Sequence, residues 1–234
     1  MTIEAVIFDW GGTLSEFVDA ELVDAWRLAA HHLDPAREEE ITARLVQVEA
    51  DFWATTSSHQ RSATLADLMA TAAKELGLDV AEALLEEAAL RHLDAWTPHI
   101  RHDPEAAETL VELRGQGLRI GMLSNTHWPR TFHEHFLERD GLVELIDARL
   151  YTSEMPFQKP HPSAFLTAAR ALGVEAADSV FVGDRPWDDI SGAHSAGMRT
   201  VLRPNPFAPD VAGINPDARI SRLIELLDLV HAWS

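Results

Sequence analysis

Four short apolar runs punctuate the chain: AVIFD at 5–9, RIGMLSN at 119–125, SVFVGD at 179–184 and RTVLR at 199–203. Each is bounded by polar residues or glycine, the pattern of a strand buried on both faces. A fifth run, ARLYTS at 148–153, fits between the second and the third. Helical periodicity fills the gaps. PEAAETLVELRGQG (104–117) is amphipathic and stopped by Gly117, and PSAFLTAARALG (162–173) is stopped by Gly173. Strand and helix in alternation predict an α/β fold, a Rossmann-like open parallel sheet with helices on both faces.

Residues 16–97 carry a different pattern, with no strand run and about four amphipathic helices. The helical stretches are EFVDAELVDAWRLAAHHL, AREEEITARLVQVEADFWAT, TLADLMATAAKELG and VAEALLEEAALRHLDAW, broken at Asp34-Pro35, TSSHQRS and Gly77. Lying between the first strand and the rest of the sheet, this block reads as an inserted four-helix subdomain placed over the strand ends. Its Trp and Leu residues read as its own core. After Arg203, PNPFAPDVAGINPD reads as a Pro-rich loop and SRLIELLDLVHAW as a closing helix.

Charge narrows the partners. With 38 acidic residues against 19 basic ones the net charge is −19, which repels nucleic acid and anionic membrane. No cysteine is present, so disulfides and thiolate metal sites are excluded. MTIEAVIFDW lacks the basic start and long apolar centre of a signal peptide, and no apolar stretch is long enough to span a bilayer. A cytoplasmic monomer or homodimer acting on a small molecule is expected.

In open parallel sheets ligands gather at the carboxyl ends of the strands. Asp9, Ser124 and Asp184 all stand at such ends. Asp9 is followed by Gly11, Gly12 and Thr13, and glycines there let peptide N–H groups approach an anion. Ser124 and Asn125 lie in GMLSNT, Lys159 in QKPHPSAF, and Asp184 with Asp188 and Asp189 in VFVGDRPWDDISGAHSAGM.

These four segments, in this order, resemble the haloacid dehalogenase superfamily. The likeness covers roughly 1–15 and 98–232, and the insert matches that family's α-helical cap in position and size. The resemblance implies a core domain of residues 1–15 and 98–234 and a cap of residues 16–97. It implies that Asp9 is a nucleophile that forms an aspartyl-phosphate, chemistry suited to an ionised carboxylate. Ser124, with the Asn125 N–H, and Lys159 would hold the phosphoryl group, and Gly11 and Gly12 would approach it through their backbone. Mg²⁺ would sit on Asp9, the Gly11 carbonyl, Asp184 and Asp189, with Asp189 also orienting Lys159 or a metal-bound water. The physics agrees with a cation. Two like charges about 4 Å apart repel by about 4 kcal/mol at an effective dielectric of about 20, and Mg²⁺ takes such oxygen ligands.

One position departs from the family pattern. Many of its phosphatases carry a second Asp two residues after the nucleophile, which protonates the leaving oxygen, and here that residue is Gly11. Three hydrolytic readings arise. The first is a Mg²⁺-dependent phosphohydrolase whose leaving group needs little protonation, or whose acid lies elsewhere, with His127, His161 or a cap histidine as candidates. The second is a phosphonoacetaldehyde-hydrolase-like C–P cleavage through a cap lysine, for which Lys74 in LMATAAKELGL is the sole candidate. The third is a 2-haloacid dehalogenase, in which family the Asp184–Asp189 pair is not kept. A catalytically silent phosphate-binding protein on the same fold is the remaining alternative, which Asp9, Lys159 and Asp184 argue against.

Overall fold

The computed structural model describes residues 2–16, 22–54, 59–206, 208 and 210–233. Six parallel strands form one sheet: β1 (Ala5–Phe8), β2 (Arg119–Ser124), β3 (Ala148–Tyr151), β4 (Ser179–Gly183), β5 (Arg199–Leu202) and β6 (Ala218–Arg219). Their order is β3-β2-β1-β4-β5-β6, so β1 lies at the centre. The two-residue β6 adds an edge just after the Pro-rich loop of residues 204–217, where the sequence pattern shows no strand.

Alternation along the strands loads both faces. Val6, Phe8, Ile120, Met122, Val180 and Val182 enter one core cluster, while Ala5, Ile7, Leu123 and Phe181 enter another. The first cluster is covered by α5 (Ala106–Gly115), α6 (Arg130–Arg139) and α9 (Leu226–Trp233), and the second by α7 (Pro162–Leu172) and the short α8 (Gly192–Ser195). Burial of these side chains is the main favourable term holding the layers together. Helix α7 stops where expected, with Gly173 in the left-handed conformation at φ 68°. Helix α6 escapes the sequence pattern, because RTFHEHFLER alternates charge and aromatics without a clean apolar stripe. The segment Pro186–Ser191, just after β4, winds as a π-helix.

The insert contributes α1 (Leu22–Leu33), α2 (Glu38–Ala54), α3 (Leu65–Glu75) and α4 (Glu82–Trp96). The start of its first expected helix and part of the TSSHQRS break lie outside the described residues. Trp26, Ile41, Leu45, Leu68, Met69 and Ala88 form a core that belongs to these helices alone, and Trp128 and Phe132 pack against both this core and that of the sheet. Helix α3 opens on a capping box, with Thr64 and Asp67 satisfying each other's backbone N–H. Among the described residues no helix is long and apolar enough to cross a membrane.

Strand register gathers the chemistry-bearing residues in one place. Phe8 is level with Met122 on one side and Val182 on the other, so the three central strands release their chains at one edge of the sheet.

Candidate active site

At that edge Asp9, Ser124, Asn125, Lys159, Asp188 and Asp189 line one cavity of about 400 Å³, with Gly11 and Gly12. That volume suits a small metabolite. Lys159 Nζ donates to Asp9 Oδ1 at 2.6 Å and to Asp189 Oδ1 at 2.7 Å, and all three side chains are buried. The lysine is fixed from behind by Asn125, whose amide donates to the Lys159 carbonyl and accepts from its N–H, both at 2.9 Å. The sequence places Asn125 against substrate. In the structure its side chain is committed to placing the lysine, and the phosphoryl contact expected of it is through the backbone N–H.

Asp189 is equally committed. While Oδ1 accepts from Lys159, Oδ2 accepts the N–H groups of Asp184 and Arg185 at 3.0 and 2.9 Å, closing the turn after β4. Asp189 therefore positions the lysine and the loop. Each oxygen keeps a lone pair beyond these hydrogen bonds, and Asp189 stays within the acidic cluster of Asp9 and Asp184. Gly183 makes this closure possible, since a Cβ there would lie 2.4 Å from the Asp189 carboxylate.

Asp184 differs. Its Oδ2 accepts from Asn205 Nδ2 at 2.6 Å, but its Oδ1 is buried with no hydrogen-bond partner. Oxygens of Asp9, Asp184 and Asp189 lie within 4.8 Å of one another. Burial, then repulsion from Asp9 and Asp189, pushes Asp184 up to about 8. Burial pushes Asp9 up to about 6 against the pull of Lys159. Three buried carboxylates facing one lysine, with one oxygen left unpaired, fit a hard divalent cation with oxygen ligands.

The glycines after the nucleophile play unequal parts. Gly12 has φ +81°, and a Cβ there would lie 2.4 Å from Asp184 Oδ2. At Gly11 a Cβ would meet nothing within 4 Å, so no packing forbids a side chain. Thr13 is fully buried, and its carbonyl accepts from Arg203 at 2.7 Å.

The rest of the cavity is aromatic. Trp10 and Trp128 stand on the sheet side, and Trp53 and Trp96 reach in from the insert, with Glu49, His127 and His133 between them. The insert's tryptophans thus divide: Trp26 is core, whereas Trp53 and Trp96 face the cavity. His161 caps α7, accepting from the Ser163 N–H at 3.1 Å, and stacks on Phe157. His92 is buried against Trp26 within the insert. Lys74 is exposed on the last turn of α3, which removes the geometry a cap-lysine Schiff base needs.

Sequence reasoning missed Asn205 and Glu49. Asn205 sits between two prolines in what reads as a loop, and only the fold carries it to Asp184. Glu49 has a legible signal: with Thr42 and Leu45 it falls on the buried stripe of α2, where an acid needs a reason.

The model of the haloacid dehalogenase-like hydrolase family matches residues 3–197. A glyceraldehyde 3-phosphate phosphatase from Methanopyrus kandleri is 30% identical over 98% of this chain and 97% of its own. A phosphoserine phosphatase from Thermus thermophilus is 32% identical over 53% of this chain and 49% of its own. A crystal structure of a 2-haloacid dehalogenase from Pseudomonas syringae pv. Tomato superposes with a TM-score of 0.75 at 25% identity, covering 100% of both chains.

Proposed function

The chain belongs to the haloacid dehalogenase-like hydrolases, and from that premise we propose that it is a cytoplasmic, Mg²⁺-dependent phosphatase of small phosphorylated metabolites. The relatives named for glyceraldehyde 3-phosphate and phosphoserine support that substrate class. One observation carries the reading against carbon–halogen cleavage: the buried Asp9–Asp184–Asp189 cluster with its unpaired Asp184 oxygen. Attack on a haloacid carbon has no need of such a cluster. A phosphoryl group bound with a cation does.

Asp9 attacks phosphorus, the ester oxygen leaves, and water then attacks the aspartyl-phosphate to return the carboxylate. Lys159 holds Asp9 in line and offsets charge on the phosphoryl oxygens, and the Ser124 hydroxyl donates to one of them. Asp184 and Asp9, with the Gly11 carbonyl, would hold Mg²⁺, which supplies electrostatic clamping of the phosphoryl oxygens. Residues 16–97 act as a cap that covers the cavity, excludes water and presents Trp53 and Trp96 to the leaving group.

The test is hydrolysis of p-nitrophenyl phosphate with Mg²⁺ or with EDTA, beside halide release from 2-chloropropionate. The expected result is Mg²⁺-dependent phosphate release, lost in Asp9→Asn, with no halide released. Halide release without phosphatase activity would replace this reading by the dehalogenase one.

A further inference from the structure

Cleaving a phosphate ester expels an oxygen that must take a proton unless it is already a stable anion. The titratable groups lining the cavity can be taken in turn. Lys159 and Asp189 bind each other, and Asp9 is the nucleophile. Asp188 lies on the turn after β4, its Oδ2 3.7 Å from Arg185 and its Oδ1 buried without a hydrogen-bond partner. Next to Asp189, it stands on the nucleophile's side of the cavity, away from a group that departs opposite Asp9. His133 Nε2 is tied to Thr126 Oγ1 at 3.0 Å, with its ring stacked on Tyr151. Glu16 is exposed. His127 is buried and held neutral. Glu49 remains.

Glu49 reaches the cavity from α2, opposite the strand ends. Its Oε2 accepts the Trp26 indole N–H at 2.6 Å, and Trp53 also hydrogen-bonds to the carboxylate. Its Oε1 lies 3.4 Å from His127 Nε2, on the loop just beyond Ser124. With Oε2 held by Trp26, Oε1 is the oxygen turned towards the loop after β2. Resting on the phosphatase reading, we propose that Glu49 is the general acid: its Oε1 proton passes to the departing ester oxygen as the P–O bond breaks. The Glu49 carboxylate then takes a proton from the water that attacks the aspartyl-phosphate, which releases phosphate and free Asp9. The ionisable group facing it is His127 on the loop after β2, with His92 of α4 behind that ring at 6.4 Å. Helix α1 presents Trp26 to the carboxylate, and α3 packs on α2 through Leu65, Leu68 and Met69. Neither histidine is charged, because burial pushes both down to about 3. Burial also raises the Glu49 carboxyl above its ordinary range, which keeps a donor proton available.

The test compares wild type and Glu49→Gln on two esters: p-nitrophenyl phosphate, whose leaving group needs no proton, and glycerol phosphate, whose alkoxide does. The expected result is a loss of about 10²–10⁴-fold in kcat/KM on glycerol phosphate, against less than about tenfold in the first-turnover burst of p-nitrophenol, whose release precedes the water step that Glu49 serves for both esters. The alkaline limb of the wild-type pH profile on glycerol phosphate should disappear. That burst doubles as the check that the variant folds. If Glu49→Gln does not fold, Glu49→Asp, which draws the carboxyl back, must show the same selective loss. Equal losses on both esters with an unchanged pH profile, or no loss on either, overturn the proposal. Wild type that cleaves the aryl ester but not glycerol phosphate also overturns it, and leaves the phosphatase reading standing. Wild type that cleaves neither phosphate defeats that reading itself.

Discussion

The cavity has two walls built on opposite plans. On the sheet side the central charged groups are pinned: Lys159 by two carboxylates and by Asn125, Asp189 by two N–H groups, Asp184 by Asn205. On the insert side the wall is aromatic, and among the described residues Glu49 is its one buried acid, with Oε1 3.4 Å from His127 Nε2 of the sheet side. The contrast separates two jobs. Fixed charges facing a transferring phosphoryl group need no rearrangement at the moment of reaction, which is where such groups are most effective. An apolar wall with a single acid can shape a leaving group and hand it a proton.

The largest effects should come from breaking the pinned wall. Lys159→Met leaves Asp9 and Asp189 buried together without their cation. It should abolish turnover and cost about 3–5 kcal/mol of stability, read from urea unfolding. Adjacent glycines sharpen the same point. Gly12→Ala drives a methyl group against Asp184 and should lose on the order of 10²-fold or more in kcat/KM. Gly11→Ala has open space around it and should stay within a few-fold of wild type in the same assay. If the two alanines behave alike, the close approach of loop and carboxylate is not what Gly12 is for.

Asn205→Ala comes next. It removes the donor that orients Asp184, and the Mg²⁺ concentration for half-maximal activity should rise by about 10-fold or more. An unchanged Mg²⁺ requirement would show that Asp184 orients itself.

The smallest effect probes the junction of the two walls. His92, His127 and His133 are each pushed by burial from 6.5 down to about 3. The unfolded chain binds those protons as pH falls below about 6.5 and the folded chain does not. Each histidine should therefore cost up to about 1.4 kcal/mol of stability per pH unit on acidification from pH about 7 to about 5. The raised Asp9, Asp184 and Glu49 carboxyls act in the opposite sense. The comparison is therefore wild type against His127→Leu, whose stability should fall less. Urea midpoints at those two values check it. An equal response in wild type and His127→Leu would mean that the cavity admits enough water to charge that ring.

The two walls are not equally readable in the sequence. Asp9, Ser124 and Asp184 each end a short apolar run and Lys159 precedes a capped helix, so their places can be inferred from local pattern. Local pattern also yields the five main strands and the four helices of the insert. It fails at α6, where the buried face is made of His133, Phe136 and Leu137 among charges, and at β6, where only pairing with β5 makes two residues a strand. Asn205 and Glu49 are hard to read for a related reason. Each acquires its meaning from a partner far along the chain, Asp184 for one and Trp26 and His127 for the other. The roles of Asn125 and Asp189 are blurred similarly: spacing brings them to the site, but only hydrogen bonds reveal that they place Lys159.

The central claim is that Asp9 takes the phosphoryl group. The most direct measurement is acid quench of the enzyme during turnover of p-nitrophenyl phosphate with Mg²⁺, then borohydride reduction and peptide mass analysis. An acyl phosphate on Asp9 is reduced to homoserine, and the account predicts homoserine at position 9 in a fraction that disappears once substrate is exhausted. An intact Asp9 in samples that are releasing p-nitrophenol, with homoserine at another acid instead, would contradict it.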